Sequence, residues 1–155
     1  MAIEIERKYA VVGDYKSHAT VHYQIAQGYL STVPERTVRV RVRDNQGFLT
    51  IKGTAHSDGI SRYEWEKEIS LHEAEELLDL CEPYVIRKTR YEVYFENQKF
   101  EVDEFHAENE GLVVAELELE SEWVTVSKPI WLGAEIMNDN RYFNSQLSKK
   151  PFKLW

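Results

Sequence analysis

Cysteine, proline, glycine and long apolar runs are all scarce in this sequence of 155 residues. A lone Cys81 cannot form an internal disulfide, which favours a reducing compartment. No apolar run is long enough for a transmembrane helix, and the first residues carry acids where a signal peptide needs an apolar stretch. We therefore expect a cytoplasmic protein without a membrane partner. Because repeats and linker-like tracts are also lacking, residues 1–155 are expected to form a single domain.

Positive charge is in the minority, and its distribution is uneven. The net charge is −8, which gives no support to a nucleic-acid partner. The bases nevertheless form two dense clusters, at Arg36–Arg43 and at Arg87–Arg90. An acidic protein that concentrates its bases in this way reserves them for an anion.

The dominant hydrophobic period is two, which is typical of β-strands. A turn signal from Asp44 to Gly47 predicts a hairpin between two of them. About eight strands joined by short turns favour a sandwich or a barrel. The predicted strands are Ile3–Tyr9, Val38–Arg43, Phe48–Lys52, Ser61–Ile69, Val85–Phe95, Lys99–Phe105 and Gly111–Glu120.

Helical signals are few. The capping box Ser70-Leu71-His72-Glu73 predicts a helix that runs through Leu80 and is stopped by Pro83. A short helix is predicted over Asp14–Ala19 and another over Lys128–Glu135.

The polar faces of the predicted strands are almost purely ionic. For any single strand, a solvated charged face opposite a buried apolar face is the simplest interpretation. A solvated face, however, normally mixes in Ser, Thr, Asn and Gln. Two architectures therefore stay open, one with the charges in solvent and one with the charges lining a wet bore. The faces are Glu4/Glu6/Lys8, Arg39/Arg41, Glu64/Glu66, Lys88/Arg90, Glu101/Asp103 and Glu116/Glu118.

An ionic bore must balance its charges and hold water, metal or ligand, because burying unpaired charges costs several kcal/mol each. Clustered carboxylates suit hard divalent cations. Clustered Arg and Lys suit phosphate oxygens, which Arg can bind in a bidentate manner. A metal together with a phosphate chain would satisfy both sets of side chains.

These residues also carry a family resemblance. Glu4-Ile5-Glu6-Arg7-Lys8 is similar to the Glu-x-Glu-x-Lys motif of the CYTH superfamily, the triphosphate tunnel metalloenzymes. The chain resembles the small bacterial members that act on tripolyphosphate, from Ile3 to about Leu147. The supporting segments follow in family order: Val38–Arg41, Thr50–Lys52, Tyr63–Glu66, Ile86–Tyr91, Glu101–Asp103, Glu116–Glu118 and Trp131–Tyr142.

The resemblance implies an α+β, mostly β fold, a closed eight-stranded antiparallel barrel with a few flanking helices. It also implies Mg²⁺ or Mn²⁺, in two sites. By position, Glu4, Glu6 and Glu118 resemble ligands of the metal that orients the triphosphate. The second metal or its water corresponds to Glu64, Glu66, Asp103 and Glu116. The phosphate clamp corresponds to Lys8, Arg39, Arg41, Lys52, Lys88 and Arg90, with catalytic roles expected for Lys8, Glu64, Glu66 and Lys88. Arg43, Arg62, Glu101 and Glu120 share these faces and are expected nearer the tunnel mouth.

The implied activity is metal-dependent hydrolysis of a small-molecule triphosphate, first of all tripolyphosphate to pyrophosphate and phosphate. Adenylate cyclase, thiamine triphosphatase and a non-catalytic polyphosphate- or nucleotide-binding module stay open, as does a structural sandwich with salt-bridged faces. A monomer or a homodimer is expected. His18 and His22 are expected to lie at the surface or to pack, and Trp131 and Trp155 are expected to pack.

Overall fold

The computed structural model describes residues 3–155, and nearly all strands follow the predicted alternation. The first strand is predicted over Ile3–Tyr9 and extends to Val11 in the structure. The prediction for Ser61–Ile69 matches the structure. The nine strands are β1 (Ile3–Val11), β2 (Ala19–Ser31), β3 (Thr37–Arg43), β4 (Gln46–Lys52), β5 (Ser61–Ile69), β6 (Ile86–Phe95), β7 (Gln98–Phe105), β8 (Val113–Glu118) and β9 (Leu132–Glu135).

The sheet closes on itself. Its strand order is β5-β4-β3-β2-β6-β7-β8-β1, and β5 pairs back with β1 through Glu4 opposite Arg62. All pairings are antiparallel, so β1–β8 form a closed eight-stranded antiparallel barrel. The short β9 adds to the free edge of β1 beside Tyr9 and Val11. The predicted fold class is confirmed, with one extra strand.

One hydrophobic core lies on the outside of the barrel wall. Tyr9, Phe100 and Leu117 point away from the bore and are at most 2% exposed, because the segment that includes Trp131 packs over them. The Trp131 ring lies 5.3 Å from the Phe100 ring, edge to face. Successive residues of a strand point to opposite faces of the sheet. Because the apolar faces are covered on the outside of the barrel, the ionic faces point to its interior. The charges therefore line a bore.

A second apolar cluster closes one end of the bore. Ile86 shares a strand face with Lys88, and Val114 shares one with Glu116, so both point inward. They are joined by Phe105 and by Leu147 from the C-terminal segment, all at most 2% exposed. The C-terminal segment thus plugs this end of the barrel.

Two α-helices are present in the described part of the chain, α1 (Leu71–Leu78) and α2 (Asn144–Leu147). The predicted capping box of α1 is confirmed, because Ser70 Oγ accepts from Glu73 N–H at 3.0 Å and Glu73 Oε1 accepts from Ser70 N–H at 3.2 Å. No helix within residues 3–155 has the length and apolar content needed to cross a membrane. Short 3₁₀ turns cover Lys16–His18, Pro34–Arg36, Ala107–Asn109, Asn140–Tyr142 and Phe152–Leu154.

Two helix predictions need correction. The Asp14–Ala19 prediction reduces to the single 3₁₀ turn Lys16–His18. The Lys128–Glu135 prediction is wrong, because this segment is irregular up to Trp131 and then forms β9. The free edge of β1 offers backbone hydrogen bonds to this segment, and these favour a strand over a helix.

Sequence reasoning missed the longest strand, β2. It runs for 13 residues and pairs with both β3 and β6. Its inward residues are mixed rather than ionic, so its period of two is less conspicuous. His22 lies on it and its ring stacks 5.5 Å from the Tyr91 ring, in agreement with a packing role. Gly28 is required for packing, since a Cβ there would lie 2.7 Å from the Cys81 Cβ.

Candidate active site

All eight strands of the barrel contribute charged or polar side chains to one interior cavity of about 260 Å³. Both signs are represented in similar number, which is the balance that an ionic interior requires. The acids are Glu4, Glu6, Glu64, Glu66, Glu101, Glu116 and Glu118, and the bases are Lys8, Arg39, Arg41, Arg43, Lys52, Arg62, Lys88 and Arg90.

The structure brings nearly all of the predicted site residues together. Every one of them except Asp103 lines the cavity, as do Arg43, Arg62 and Glu101. Glu120, expected near the mouth, is not among the cavity-lining residues of the described chain.

Glu4 lies where β1 meets β5 and is held by bases. Lys52 Nζ donates to both of its carboxylate oxygens, at 2.9 and 3.1 Å, and Arg62 Nε lies 3.6 Å from Oε1. Burial by itself raises the pKa of Glu4, but Lys52 and Arg62 outweigh it and lower the pKa to about 2. Glu4 is therefore an ionised carboxylate at any physiological pH.

Neighbouring carboxylates lack this compensation. Glu6 faces Glu118 across the β1–β8 pair, and its pKa is raised well above the usual range by burial and by the charges of Glu116 and Glu4. Burial and the charge of Glu4 also raise the pKa values of Glu118 and Glu64. These acids repel one another in the absence of a cation, and a divalent ion would relieve that repulsion.

Asp103 occupies a different kind of position from the one predicted. It is fully buried behind two bases, with Arg90 binding it in a bidentate manner at 2.7 and 2.8 Å and Lys88 Nζ at 2.7 Å. Burial raises its pKa, but Arg90 and Lys88 outweigh that effect and lower it. In this arrangement Asp103 orients the two bases, which themselves face the cavity.

Lys88 is the most deeply buried base of the site, at 1% exposure. Burial lowers its pKa to about 7, since the charges of Arg90 and Arg41 add to desolvation and Asp103 offsets only part of it. An anion that enters the cavity would favour its charged form.

Lys8 lies directly opposite Glu116 on the paired strands β1 and β8, with Nζ 3.4 Å from Oε1, and its ammonium lies over the ring of Phe143. Burial lowers the pKa of Lys8, but Glu116 and Glu6 outweigh this and raise it. Lys8 is therefore a fixed cation beside the plug.

Arg39 is held by a neutral hydroxyl and a distant acid. Its Nη2 donates to Thr50 Oγ1 at 3.2 Å and lies 3.5 Å from Glu66 Oε2. Its Nε is buried without a hydrogen-bond partner among the described residues. A buried donor left unpaired is costly, which is consistent with a site whose anionic ligand completes it.

Arg41 is held by a neutral partner, whereas the other residues of the predicted phosphate clamp each form a salt bridge. Its Nε donates to Gln27 Oε1 at 2.7 Å, and no carboxylate of residues 3–155 forms a salt bridge with it. Burial and the neighbouring charges of Arg39 and Arg90 lower its pKa to about 9. The side chain keeps N–H groups free toward the cavity, in the geometry that binds phosphate oxygens.

Several site residues escaped the sequence analysis because they are uncharged. Gln27 and Tyr29 line the cavity from the missed strand β2, and Asn144 lines it from the plug. Thr50 joins Arg39 to Glu66, to which it donates at 2.7 Å. The inward period of Tyr23, Ile25, Gln27 and Tyr29 could have revealed β2, but nothing local marks Asn144.

A closed barrel whose bore combines unneutralised guanidinium groups with crowded carboxylates defines a class of protein that binds a polyanion together with a cation. The chain belongs to the CYTH family, because the CYTH domain model matches residues 2–150.

Two relatives resemble this chain over nearly its whole length. It is 52% identical to an inorganic triphosphatase of Acetivibrio thermocellus, covering 99% of this chain and 97% of the relative. It is 34% identical to an inorganic triphosphatase of Nitrosomonas europaea, covering 94% and 96%. Among solved structures, that of the inorganic triphosphatase NE1496 superposes with a TM-score of 0.68 at 30% identity, covering 96% of this chain and 95% of that one.

Proposed function

We propose that this protein is an inorganic triphosphatase that hydrolyses tripolyphosphate to pyrophosphate and phosphate with the help of divalent metal ions. The observation that carries the proposal is one cavity inside the barrel in which bases without full compensation face crowded carboxylates. The 52% identity to a relative named inorganic triphosphatase supports the same activity.

The basic side chains provide the phosphate clamp. Among the described residues, Arg41 uses only its Nε in a hydrogen bond to the protein, and the Nε of Arg39 has no hydrogen-bond partner. Both guanidinium groups therefore have donors left for a ligand. Lys88 and Arg90 are held in place from behind by Asp103. A tripolyphosphate chain carries several negative charges, so fixed cations that need not reorganise both bind it and stabilise charge in the transition state.

The carboxylates fit a divalent cation, in the role proposed for Glu4, Glu6 and Glu118. Carboxylate oxygens are the ligands that Mg²⁺ and Mn²⁺ prefer, and the charged forms of Glu6 and Glu118 are destabilised by burial and by nearby carboxylates, Glu4 among them. Within residues 3–155, no three metal-ligating side chains form a ready-made cage. Mg²⁺ is commonly held by one or two carboxylates and by substrate phosphates, so a cage is not required.

Glu64, Glu66 and Glu116 are the proposed ligands of a second ion or of its water. Glu64 lies near Lys52, with Oε2 3.2 Å from Nζ, and Glu66 accepts from Thr50. Glu116 is instead engaged by Lys8 and Arg90. The side chains of Glu64 and Glu66 are 28% and 42% exposed, against 10% for Glu116, so they are better placed to give oxygens to a cation or an ordered water.

In the proposed reaction, a water oxygen attacks a terminal phosphorus and the bond from that phosphorus to its bridging oxygen breaks. The bridging oxygen leaves with pyrophosphate, and its charge is stabilised by Lys8 and Lys88. Glu64 or Glu66 orients the water and accepts its proton. A bound divalent ion would supply Lewis-acid stabilisation of the phosphate oxygens.

The direct test is an assay of the purified protein on tripolyphosphate, ATP and thiamine triphosphate, each with Mg²⁺ and with Mn²⁺. Phosphate, pyrophosphate and cyclic AMP are measured separately. Release of phosphate and pyrophosphate from tripolyphosphate at the highest kcat/KM is the expected result. Cyclic AMP as the main product would establish a cyclase instead, and tight binding without any product would establish a binding module.

Glu4→Gln tests the metal role. The substitution preserves size but removes the charge that Lys52 stabilises, so turnover should fall by at least about 100-fold while the fold is retained. Binding of Mn²⁺ measured by calorimetry should weaken in parallel. Glu108→Gln, at an exposed position, serves as the matched control. Full activity in Glu4→Gln would remove Glu4 from the metal site.

We further propose that the protein works in the cytoplasm as a single domain, as a monomer or homodimer, without a nucleic-acid or membrane partner. The net charge of −8 supports the absence of a nucleic-acid partner. Size-exclusion chromatography with light scattering would determine the oligomeric state.

A further inference from the structure

Asn144 of the C-terminal plug is buried and contacts two cavity-lining side chains from separate strands. Its Oδ1 accepts from Gln27 Nε2 at 2.9 Å and from Lys88 Nζ at 3.0 Å. Gln27 in turn accepts from Arg41 Nε at 2.7 Å through its own oxygen. A continuous chain of hydrogen bonds therefore runs from Lys88 through two amides to Arg41.

The polarity of this chain is determined by its two ends. Arginine and protonated lysine side chains can only donate hydrogen bonds, so the amide atom that faces each of them is an oxygen. With its oxygen toward Lys88, Asn144 can receive only the nitrogen of Gln27. Gln27 must then turn its oxygen toward Arg41. Rotating Asn144 by half a turn would place two donors against each other at both of its contacts. Rotating Gln27 would place two donors against each other at Arg41 and two acceptors against each other at Asn144.

This chain of hydrogen bonds determines how Arg41 is held. Its Nε is engaged by a neutral oxygen, so the guanidinium is held in place without loss of its charge. The other residues of the predicted phosphate clamp each pair with at least one carboxylate, for example Lys52 with Glu4 and Lys88 with Asp103. Arg41 is thus oriented by an amide and stays fully available to an anion.

We propose that Asn144 is a positioning residue that acts through Gln27 to fix the guanidinium of Arg41 toward the substrate phosphates. This rests on the proposed function, because the phosphate chain is taken as the anion. Asn144 lies on α2, which is anchored by buried Leu147 in the apolar plug. The plug therefore carries part of the active site's organisation in addition to closing the bore.

The test is a double-mutant cycle of Asn144→Ala, Gln27→Ala and the combined variant, read as KM and kcat for tripolyphosphate with Mg²⁺. Each single change should raise KM by about tenfold with a smaller effect on kcat, because it loosens ground-state binding by Arg41. The double variant should resemble Gln27→Ala within about twofold, since both changes break the same chain. Gln146→Ala, at an exposed position of α2, should leave both parameters unchanged.

Calorimetric binding of tripolyphosphate in the presence of a chelator separates this inference from the proposed function. A wild-type protein that binds tripolyphosphate but does not hydrolyse it would contradict the triphosphatase assignment. The double-mutant cycle could still be evaluated in that case, from the dissociation constants of the variants for tripolyphosphate. If Asn144→Ala proves too unstable, Gln27→Ala alone must show the rise in KM. Additive effects in the cycle, or lowered thermal stability with an unchanged dissociation constant, would overturn the positioning role.

Discussion

At the residue scale, the site is governed by which charges are compensated and which are not. Asp103 forms close ion pairs with both Lys88 and Arg90, whereas Arg41 has only an amide partner. Removing one partner of a buried ion pair leaves the other charge unpaired and destabilises the fold, whereas a charge that is already uncompensated costs stability in exchange for ligand binding. The two kinds of residue should therefore respond in opposite ways to substitution.

Asp103→Asn should mainly destabilise the fold. Removing the carboxylate charge leaves two buried cations without their closest counter-ion, which costs about 3–5 kcal/mol in comparable cases. The free energy of unfolding in urea is the measurement, with exposed Glu108→Gln as the control. A change of under about 1 kcal/mol would show that the two bases find other partners.

Arg41→Ala should mainly impair function. Losing a charged donor to phosphate should lower kcat/KM for tripolyphosphate by about 10- to 100-fold. The free energy of unfolding should change by less than about 1 kcal/mol, because repulsion from Arg39 and Arg90 is relieved at the same time. Exposed Arg36→Ala, from the same basic cluster, should leave both measurements unchanged. Unimpaired kinetics of Arg41→Ala would exclude it from the clamp.

At the element scale, α1, the longer of the two α-helices within residues 3–155, depends on local capping, and the strands depend on partners. The capping box of α1 satisfies backbone groups at its start with side chains only three residues away. The strands, in contrast, are paired across the closed sheet, and Gly47 on β4 lies close under α1, where a Cβ would be 2.7 Å from that of Ala74.

Ser70→Ala should lower the free energy of unfolding by about 1 kcal/mol, because the first turn of α1 loses a hydrogen bond to its backbone. Chemical denaturation followed by circular dichroism is the measurement, with exposed Ser57→Ala as the control. Since α1 lies outside the bore, KM for tripolyphosphate should stay at the wild-type value. A changed KM would mean that α1 influences the site.

At the scale of the whole molecule, the barrel holds like charges together at the cost of mutual repulsion, and the apolar faces outside it supply the compensating packing. A bound polyanion should therefore stabilise the native state. Tripolyphosphate at about 100 times its dissociation constant, with a chelator to prevent turnover, should add about 2.7 kcal/mol to the free energy of unfolding. The measurement is the melting temperature in tripolyphosphate compared with that in sodium sulfate at equal ionic strength. Equal melting temperatures in the two salts would contradict a specific site.

Much of this architecture could be predicted locally. The alternation of Glu4, Glu6 and Lys8, of Arg39 and Arg41, and the box at Ser70 all depend on neighbours within a few residues. Such patterns are visible in a linear chain because side-chain direction in a strand and capping at a helix start are local properties. The strand β2 was missed because its inward face mixes Tyr, Ile and Gln, and the Lys128–Glu135 helix was mispredicted because the free edge of β1 decides that segment.

By itself, then, the sequence determined which residues share a face, how ionic those faces are, and where α1 begins. Only the tertiary structure decided that the ionic faces point inward, that Asp103 lies behind Lys88 and Arg90, and that Asn144 joins the site. The physical reason is that closure, cover and counter-ion pairing depend on contacts between residues far apart in sequence, such as Glu4 with Arg62 and Gln27 with Asn144. Local alternation is the same whether a sheet faces solvent or closes around its charges.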